Sequence, residues 1–423
     1  MTGSVTLAPN ATAPVSPRLG SVAAAAISAA LLGANVLSYG FTVLAARVLA
    51  PATYGELAAL MGLLLVGAVP SAGLQTAVAL HLGRAGGRPD VRGLHAAALV
   101  TALGVGAAGL LAVAPVMHLL HLSDAAAVCW LALLLIPHTV IGGYQGILQG
   151  RGSYRGLSVI TAGFGLAKPL GGAAGLLLGG TPTAALAGMA LGGCAGAVIG
   201  WVGCGRPGVQ RGMREPARSV LRASGALLGF VVLLNLDLLL ARHYLPAAAA
   251  GEYAVASLFA KIAFWLPQGV GVVLLPRLAD PEQRRRTLPS ALALVAGVGT
   301  VVALATAALG SRALPLVGGA AYGAELGSAS WLFAVLGTLL AVAQLLVYSG
   351  IAAADRVAVA AVWTAAVAEC AVATALAGAG LLTVTTLAVT AVAVASVVVG
   401  AGLVRALPGG RRTRSGTVIA QRD

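Results

Sequence analysis

Runs of roughly 18 or more apolar residues recur along the whole chain, and no other feature constrains its fold as strongly. Twelve can be counted, at about 20–48, 57–82, 94–119, 125–148, 157–180, 183–204, 220–241, 252–276, 288–309, 327–350, 357–379 and 382–404. Each is long enough to cross ~30 Å of hydrocarbon at ~1.5 Å per helical residue. Hydrocarbon offers no water to backbone N–H and C=O groups, so a spanning segment must satisfy them internally, as an α-helix does. Composition agrees: the 423 residues are 59% hydrophobic and 9% charged, and the mean hydropathy is +0.95. The fold class expected is an all-α polytopic membrane protein with about twelve transmembrane helices.

Charge orients these spans. Of the 26 Lys and Arg residues, 21 are arginines in the tails and even-numbered loops, such as Arg18, Arg84, Arg151, Arg206, Arg277, Arg356 and Arg405. The opposite loops hold only Arg47, Arg242 and Arg312. By the positive-inside rule both termini are expected on the cytoplasmic side of a bacterial cytoplasmic membrane. The net charge of +14 therefore reports topology, with some attraction to anionic lipid head groups, and no nucleic-acid partner is expected.

Two stretches about half a chain apart repeat each other. Ala46-Arg47-Val48-Leu49-Ala50-Pro51 followed by Tyr54-Gly55-Glu56-Leu57 returns as Ala241-Arg242-His243-Tyr244-Leu245-Pro246 followed by Gly251-Glu252-Tyr253. Pro70 matches Pro267 and Arg84 matches Arg277, all at offsets between 193 and 197 residues. Six spans precede the basic 205–219 segment and six follow it, so both halves enter the membrane in the same direction. Such parallel repeats place a substrate path between the halves, which suggests a transporter. The organisation expected is a cytoplasmic tail (1–19), a six-helix bundle (20–204), a cytoplasmic linker (205–219), a second six-helix bundle (220–405) and a disordered basic tail (406–423). The first span is expected to be retained rather than cleaved, since no signal-peptide pattern precedes it. The four cysteines lie in or at the ends of spans without CxxC spacing, so no disulfide, metal or cofactor is expected.

Charges inside spans are expensive and point to function by default. The chain has only two lysines, Lys168 and Lys261, and both fall inside spans. Lys261 follows Glu252 by nine residues, ~13 Å of helix, which puts it near the midplane. Asp237 falls in the outer half of span 7, with Asn235 two residues earlier, and an Asp237–Lys261 interaction across neighbouring spans is expected, directly or through water. Arg155 to Lys168 and Arg356 to Glu369 are both thirteen-residue intervals. Equivalent helices of the two halves thus carry opposite charges at similar depth, as a polar site for protons or a head group, as a structural pair, or as two groups in separate packed sites. Pro70 and Pro267 are expected to kink spans 2 and 8. Gln145, Gln149 and Gln344 suit interhelical hydrogen bonds. His138 follows Pro137 in span 4, where a lone histidine is more often a packing residue than a titrating one.

Arg47, Leu49, Tyr54 and Gly55 match an R-x-L-x-x-x-x-Y-G pattern, and with Pro70, Gly73 and the Gln145–Arg151 stretch QGILQGR they resemble a known family. It is the polysaccharide (oligosaccharide-lipid) transporter family of the multidrug/oligosaccharidyl-lipid/polysaccharide exporter superfamily. The second copy departs from it, with Gly251-Glu252-Tyr253 in place of Tyr-Gly-Glu. The resemblance implies two bundles arranged as a V around a central cavity lined by spans 1, 2, 7 and 8. Asp237 and Lys261 then fall on cavity-lining spans, which adds to their candidacy as substrate-binding or ion-coupling residues; Asn235, Lys168 and Glu369 are candidates for the same roles by depth and charge alone. Positive-inside counting puts Arg47, Glu56, Arg242 and Glu252 at the outer ends of spans, where they would anchor outer loops or latch an outer gate. The function implied is outward flipping of a polyprenyl-linked oligosaccharide by alternating access, with protons or sodium as possible coupling partners and a monomer as the expected state. The alternatives are an ion-coupled exporter of drugs or metabolites, a membrane glycosyltransferase or a non-transporting scaffold. The short, basic loops and the lack of an Asp-x-Asp motif argue against an enzyme.

Overall fold

The structure, a computed structural model, describes residues 17–84, 91–210, 216–266, 281–323, 326–352 and 356–406. Every regular element among them is helical. In the first half these are α1 (Pro17–Val48), α2 (Pro51–Gly67), α3 (Val69–Arg84), α4 (Val91–Leu111), α5 (Val113–Leu120), α6 (Ala125–Gly150), α7 (Tyr154–Gly179) and α8 (Pro182–Gly203). The second half has α9 (Pro216–Tyr244), α10 (Ala247–Trp265), α11 (Pro281–Leu309), α12 (Ala313–Gly318), α13 (Trp331–Ala352), α14 (Arg356–Gly378) and α15 (Val384–Ala406). Ten segments are long and apolar enough to cross a membrane, and shorter apolar helices at Leu32–Val48 and Trp331–Val347 fill the places of spans 1 and 10.

Prolines and caps explain where these helices begin and break. Pro51 and Pro182 open α2 and α8, where a missing N–H costs nothing. Asp124 and Thr181 cap α6 and α8 through Ala126 N (2.9 Å) and Ala184 N (3.1 Å). Span 2 breaks between Gly67 and Val69, because Pro70 has no N–H to give the Val66 carbonyl one turn back. The expected kink at Pro70 is thus present, whereas Pro267 lies outside the described residues. Span 3 breaks at Ala112, because Pro115 has no N–H to give the Leu111 carbonyl one turn back. The same device closes span 9, where a short 3-10 turn at Gly310–Arg312 leads into α12 and its Pro315.

The two halves pack alike. In the first, α1 lies on α7, α3 on α6, α4 on α6, α6 on α8 and α7 on α8. In the second, α9 lies on α14, α10 on α13, α11 on α13, α13 on α15 and α14 on α15. Each pairing is the repeat equivalent of the one before it, so the sequence repeat is a repeat of architecture. Helices α7 and α8 approach most closely, with Gly171 and Gly175 on one facing Gly188 and Gly192 on the other. A Cβ at Gly171, Gly175, Gly188 or Gly192 would collide with backbone across the crossing. Lipid is as apolar as leucine, so this close backbone contact, rather than hydrophobic exclusion, holds the pair.

Contact between the halves runs chiefly through α2 against α9 and α10, and through α3 against α9. Helix α1 reaches the second half through α12.

Candidate functional site

A cavity of about 420 Å³ opens between the two halves. Its walls are α1, α2, α9 and α10, which are spans 1, 2, 7 and 8, with side chains from α6, α7, α8 and α13 behind them. Along α1 the lining runs from Ala45 to Leu32, a depth of about 20 Å at the helical rise. Most of the lining is apolar, with Phe41, Leu57, Met61, Leu234, Phe264 and Trp265 among it.

Four of the five residues expected at the site line this cavity: Asn235, Asp237, Lys261 and Lys168. Asp237 is 7% exposed, and its Oδ2 accepts a 2.8 Å hydrogen bond from Tyr253 Oη of the next helix. Lys261 is within electrostatic reach of Asp237, but the two form no direct ion pair among the described residues. Asn235 donates through Nδ2 to Val231 O of its own helix (2.8 Å), which leaves its Oδ1 for the cavity. Burial of a carboxylate is costly unless hydrogen bonds and counter-charge compensate it, and Tyr253 with Lys261 does so here.

Lys168 and Glu369 form no ion pair among the described residues, which matches the separate placement among the arrangements their spacing left open. Lys168 Nζ stands 5.6 Å from the centroid of the Phe164 ring, inside cation–π range. His138 meets the same ring edge-on at 5.1 Å and also lines the cavity, so the packing role expected for it is incomplete. Glu369 on α14 is 2% exposed and lies behind the wall, within electrostatic reach of Asp237 and Tyr253. Spacing from a loop fixes height along a helix but leaves the direction of the side chain free.

Contacts between the halves close the end of the cavity near the 49–50, 121–124, 245–246 and 319–323 loops. The first turns of α2 and α10 cross at the repeat-equivalent Gly55 and Gly251. A Cβ on Gly55 would sit 3.1 Å from Gly251 N, and one on Gly251 would collide with the Pro51 backbone. Two arginines then bridge the halves reciprocally. Arg47 donates to Leu316 O (2.7 Å) and Val317 O (3.1 Å), the last carbonyls of α12. Arg242 donates to Leu120 O (2.9 Å) and His121 O (2.9 Å), the last carbonyls around α5. Helix C-termini present unpaired carbonyls at the negative end of the dipole, which a guanidinium satisfies. Arg242 also pairs with Glu56 at 3.0 Å.

The two glutamates hold loops in matching ways. Glu56 accepts from Ser123 Oγ (3.2 Å), and Glu252 accepts from Leu326 N (2.6 Å). Tyr322 Oη donates to Ala46 O across the halves (3.1 Å). Sequence reading missed the carbonyl acceptors of α5 and α12. Their signal was present in the matched helix-breaking residues Pro115 and Pro315, each at the third position of a short helix. Two of the three glutamines make the interhelical hydrogen bonds expected: Gln149 accepts from Gln75 (3.0 Å) and Gln145 donates to Thr161 (3.1 Å). Among the described residues no three His, Cys, Asp or Glu side chains cluster as metal ligands do.

No family model matches the sequence, and no curated protein matches it. Solved structures do. The lipid II flippase MurJ in an inward closed conformation superposes with a TM-score of 0.70 at 11% identity, over 90% of this chain and 87% of that one. An inward-facing multidrug resistance MATE family transporter of the MOP superfamily gives 0.63 at 13% identity, over 90% and 98%. A MOP superfamily transporter from Pyrococcus furiosus, described as having a binding pocket of reverse polarity, gives 0.56 at 14% identity, over 91% and 95%. The chain has the fold of these transporters. With it come the twofold repeat and the cavity between the halves. Lining of that cavity by spans 1, 2, 7 and 8 is as the resemblance implied.

Proposed function

We propose that this protein is a transporter of the MOP superfamily that flips a polyprenyl-linked oligosaccharide outward across the bacterial cytoplasmic membrane, with both termini cytoplasmic. The observation that carries the reading is that both lysines of the chain, one from each half, line the same closed-ended cavity. A flippase must take a polar, anionic head through a low-dielectric slab while the lipid tail stays in the bilayer. A cavity that is apolar over most of its wall and carries two ammonium groups, one of them compensated by Asp237, suits such an amphipathic cargo. The inside-negative potential assists outward movement of an anionic head by ~2.3 kcal/mol per charge per 100 mV. Purified protein in vesicles carrying a fluorescent lipid-linked oligosaccharide tests the reading. Exposure of the label to an impermeant quencher rises if the protein flips the lipid, and protein-free behaviour would overturn the proposal.

A second reading, an ion-coupled exporter of small cations, draws on Asp237, the one carboxylate lining the cavity among the described residues. Efflux of cationic dyes from cells that fails in the Asp237→Asn variant favours it over the flippase.

A further inference from the structure

The closed end of the cavity carries two histidines that the arginine clamps do not use. His121 ends α5 in the left-handed region, at φ 47°, and His243 lies in the last turn of α9. Their rings, one from each half, stack with centroids 5.4 Å apart and planes 24° from parallel. His243 Nδ1 lies 2.6 Å from Leu119 O. A carbonyl only accepts, so Nδ1 carries the hydrogen and Nε2 is the nitrogen left to take up a proton. Tyr244 meets the His243 ring edge-on at 4.4 Å, and its hydroxyl is fixed by Thr374 Oγ1 at 2.9 Å. The pair thus links the C-terminus of α5 to that of α9 across the line where the halves meet.

The charged groups around the pair are few. Arg242 donates to His121 O at 2.9 Å and pairs with Glu56 of α2 at 3.0 Å. Asp124, just before α6, is engaged by Ala126 N and Thr183 Oγ1. His118, one turn back on α5, is exposed. No carboxylate pairs with either ring among the described residues. Both rings sit at helix C-termini, whose dipoles favour imidazolium. That preference belongs to each helix on its own and is the same whether the halves meet or part. The contact between the rings exists only while they meet. A single proton on His243 strengthens its bond to Leu119 O, because a charged donor bonds more strongly. A second proton, on His121, sets two cations face to face beside Arg242.

We propose that the His121–His243 pair is an acid-sensitive latch on the closed end, held while at most one ring is charged and released when both are. Imidazole changes charge between about pH 5 and 8. Two unit charges at this separation, in the dielectric of a protein surface, shift an equilibrium by about tenfold. In the proposed orientation that end faces outward, so external acid favours the step in which the cavity opens to the outside. The latch rests on the proposed function only for which compartment's acid releases it, since neither ring needs a cargo to titrate.

Double electron–electron resonance on the full chain in nanodiscs tests this, with nitroxides on Ala125→Cys and Leu381→Cys in a background without the native cysteines. Both positions are exposed, one in each half near that end. The population at long distance should rise about tenfold from about pH 8 to about pH 5 in the parent. It should change less than about twofold in His121→Asn and in His243→Gln, neither of which can place two charges at the contact. Asn tolerates the left-handed turn at 121, and Gln keeps a donor for Leu119 O, so each variant removes a charge with little else. A parent with the same distances at both pH values overturns the latch. So does a response that survives in both variants, which would belong to Glu56 on Arg242, and so do variants open at both pH values, in which the rings are packing alone. The measurement uses no cargo, so it succeeds or fails separately from the flipping assay.

Discussion

Asp237 shows how a single buried carboxylate is kept, and what it costs to disturb it. Its Oδ2 takes the Tyr253 hydroxyl at 2.8 Å, and both residues are buried. Tyr253→Phe removes the donor but little volume, and should lower stability by about 1–3 kcal/mol, the cost of an orphaned buried polar group. Asp237→Asn keeps an acceptor for Tyr253 and should cost less. Thermal unfolding of the purified protein in one detergent ranks the two, and a Tyr253→Phe variant as stable as the parent would remove the argument. The lysines teach a related lesson about what residues reveal before a structure exists. Rarity marked Lys168 and Lys261, and depth marked Asp237, because height along a helix follows from counting residues. The azimuth did not follow, so spacing left open whether Lys168 and Glu369 meet, and one faces the cavity while the other lies behind it. His138 looked like packing for the same reason.

At the scale of elements, small residues and caps set how closely helices meet. Gly188 faces the backbone of Gly171 on α7, where there is no room for a Cβ. Gly188→Leu should part α7 from α8 and abolish the monodisperse peak of the folded protein in size-exclusion chromatography, whereas the same change at Gly104, which has open space around it, should be tolerated. Much of the glycine in this chain has the look of genome bias in the sequence, and composition alone could not separate these four packed positions from the rest. The long apolar runs, by contrast, were legible, because span length and backbone hydrogen bonding leave a helix as the only solution. Breaks within spans were partly legible: Pro70 announced one, whereas Pro115 and Pro315 passed unread. Asp124 ties two elements together, capping α6 and accepting from Thr183 Oγ1 at the start of α8 (2.6 Å). The Thr183 hydroxyl and the Ala126 amide hold its carboxyl below the ordinary value of 3.8. A depressed carboxylate contributes stability above its unfolded value and loses it as pH falls through the lower folded one. The stability gap between parent and Asp124→Ala should therefore be present at neutral pH, at about 1 kcal/mol or less for so exposed a group, and close on acidification. Melting curves of the two proteins across that range check it.

For the molecule as a whole, the reciprocal arginines act where the two halves must part if the cavity is to open at its closed end. Arg47 and Arg242 each reach into the opposite half and satisfy carbonyls at a helix end that the chain itself leaves unpaired. The two clamps are related by the repeat, so each should carry part of the closure, with Arg242 carrying more because Glu56 adds an ion pair at 3.0 Å. Charge-assisted hydrogen bonds contribute ~1.5–3 kcal/mol each when buried, and less where Arg47 is exposed. Losing both clamps should shift the population toward a state open at that end by more than either single loss, since the two arginines share no hydrogen-bond partner. A cysteine in place of Lys261, in a background without the native cysteines, reads this out. Impermeant maleimide should reach it poorly from the Arg47 and Arg242 side in the parent. Labelling from that side should rise in Arg242→Ala, and rise further in the Arg47→Ala, Arg242→Ala double variant. Unchanged labelling in the double variant would mean that the Gly55–Gly251 crossing alone keeps that end shut, and that the arginines only hold their loops.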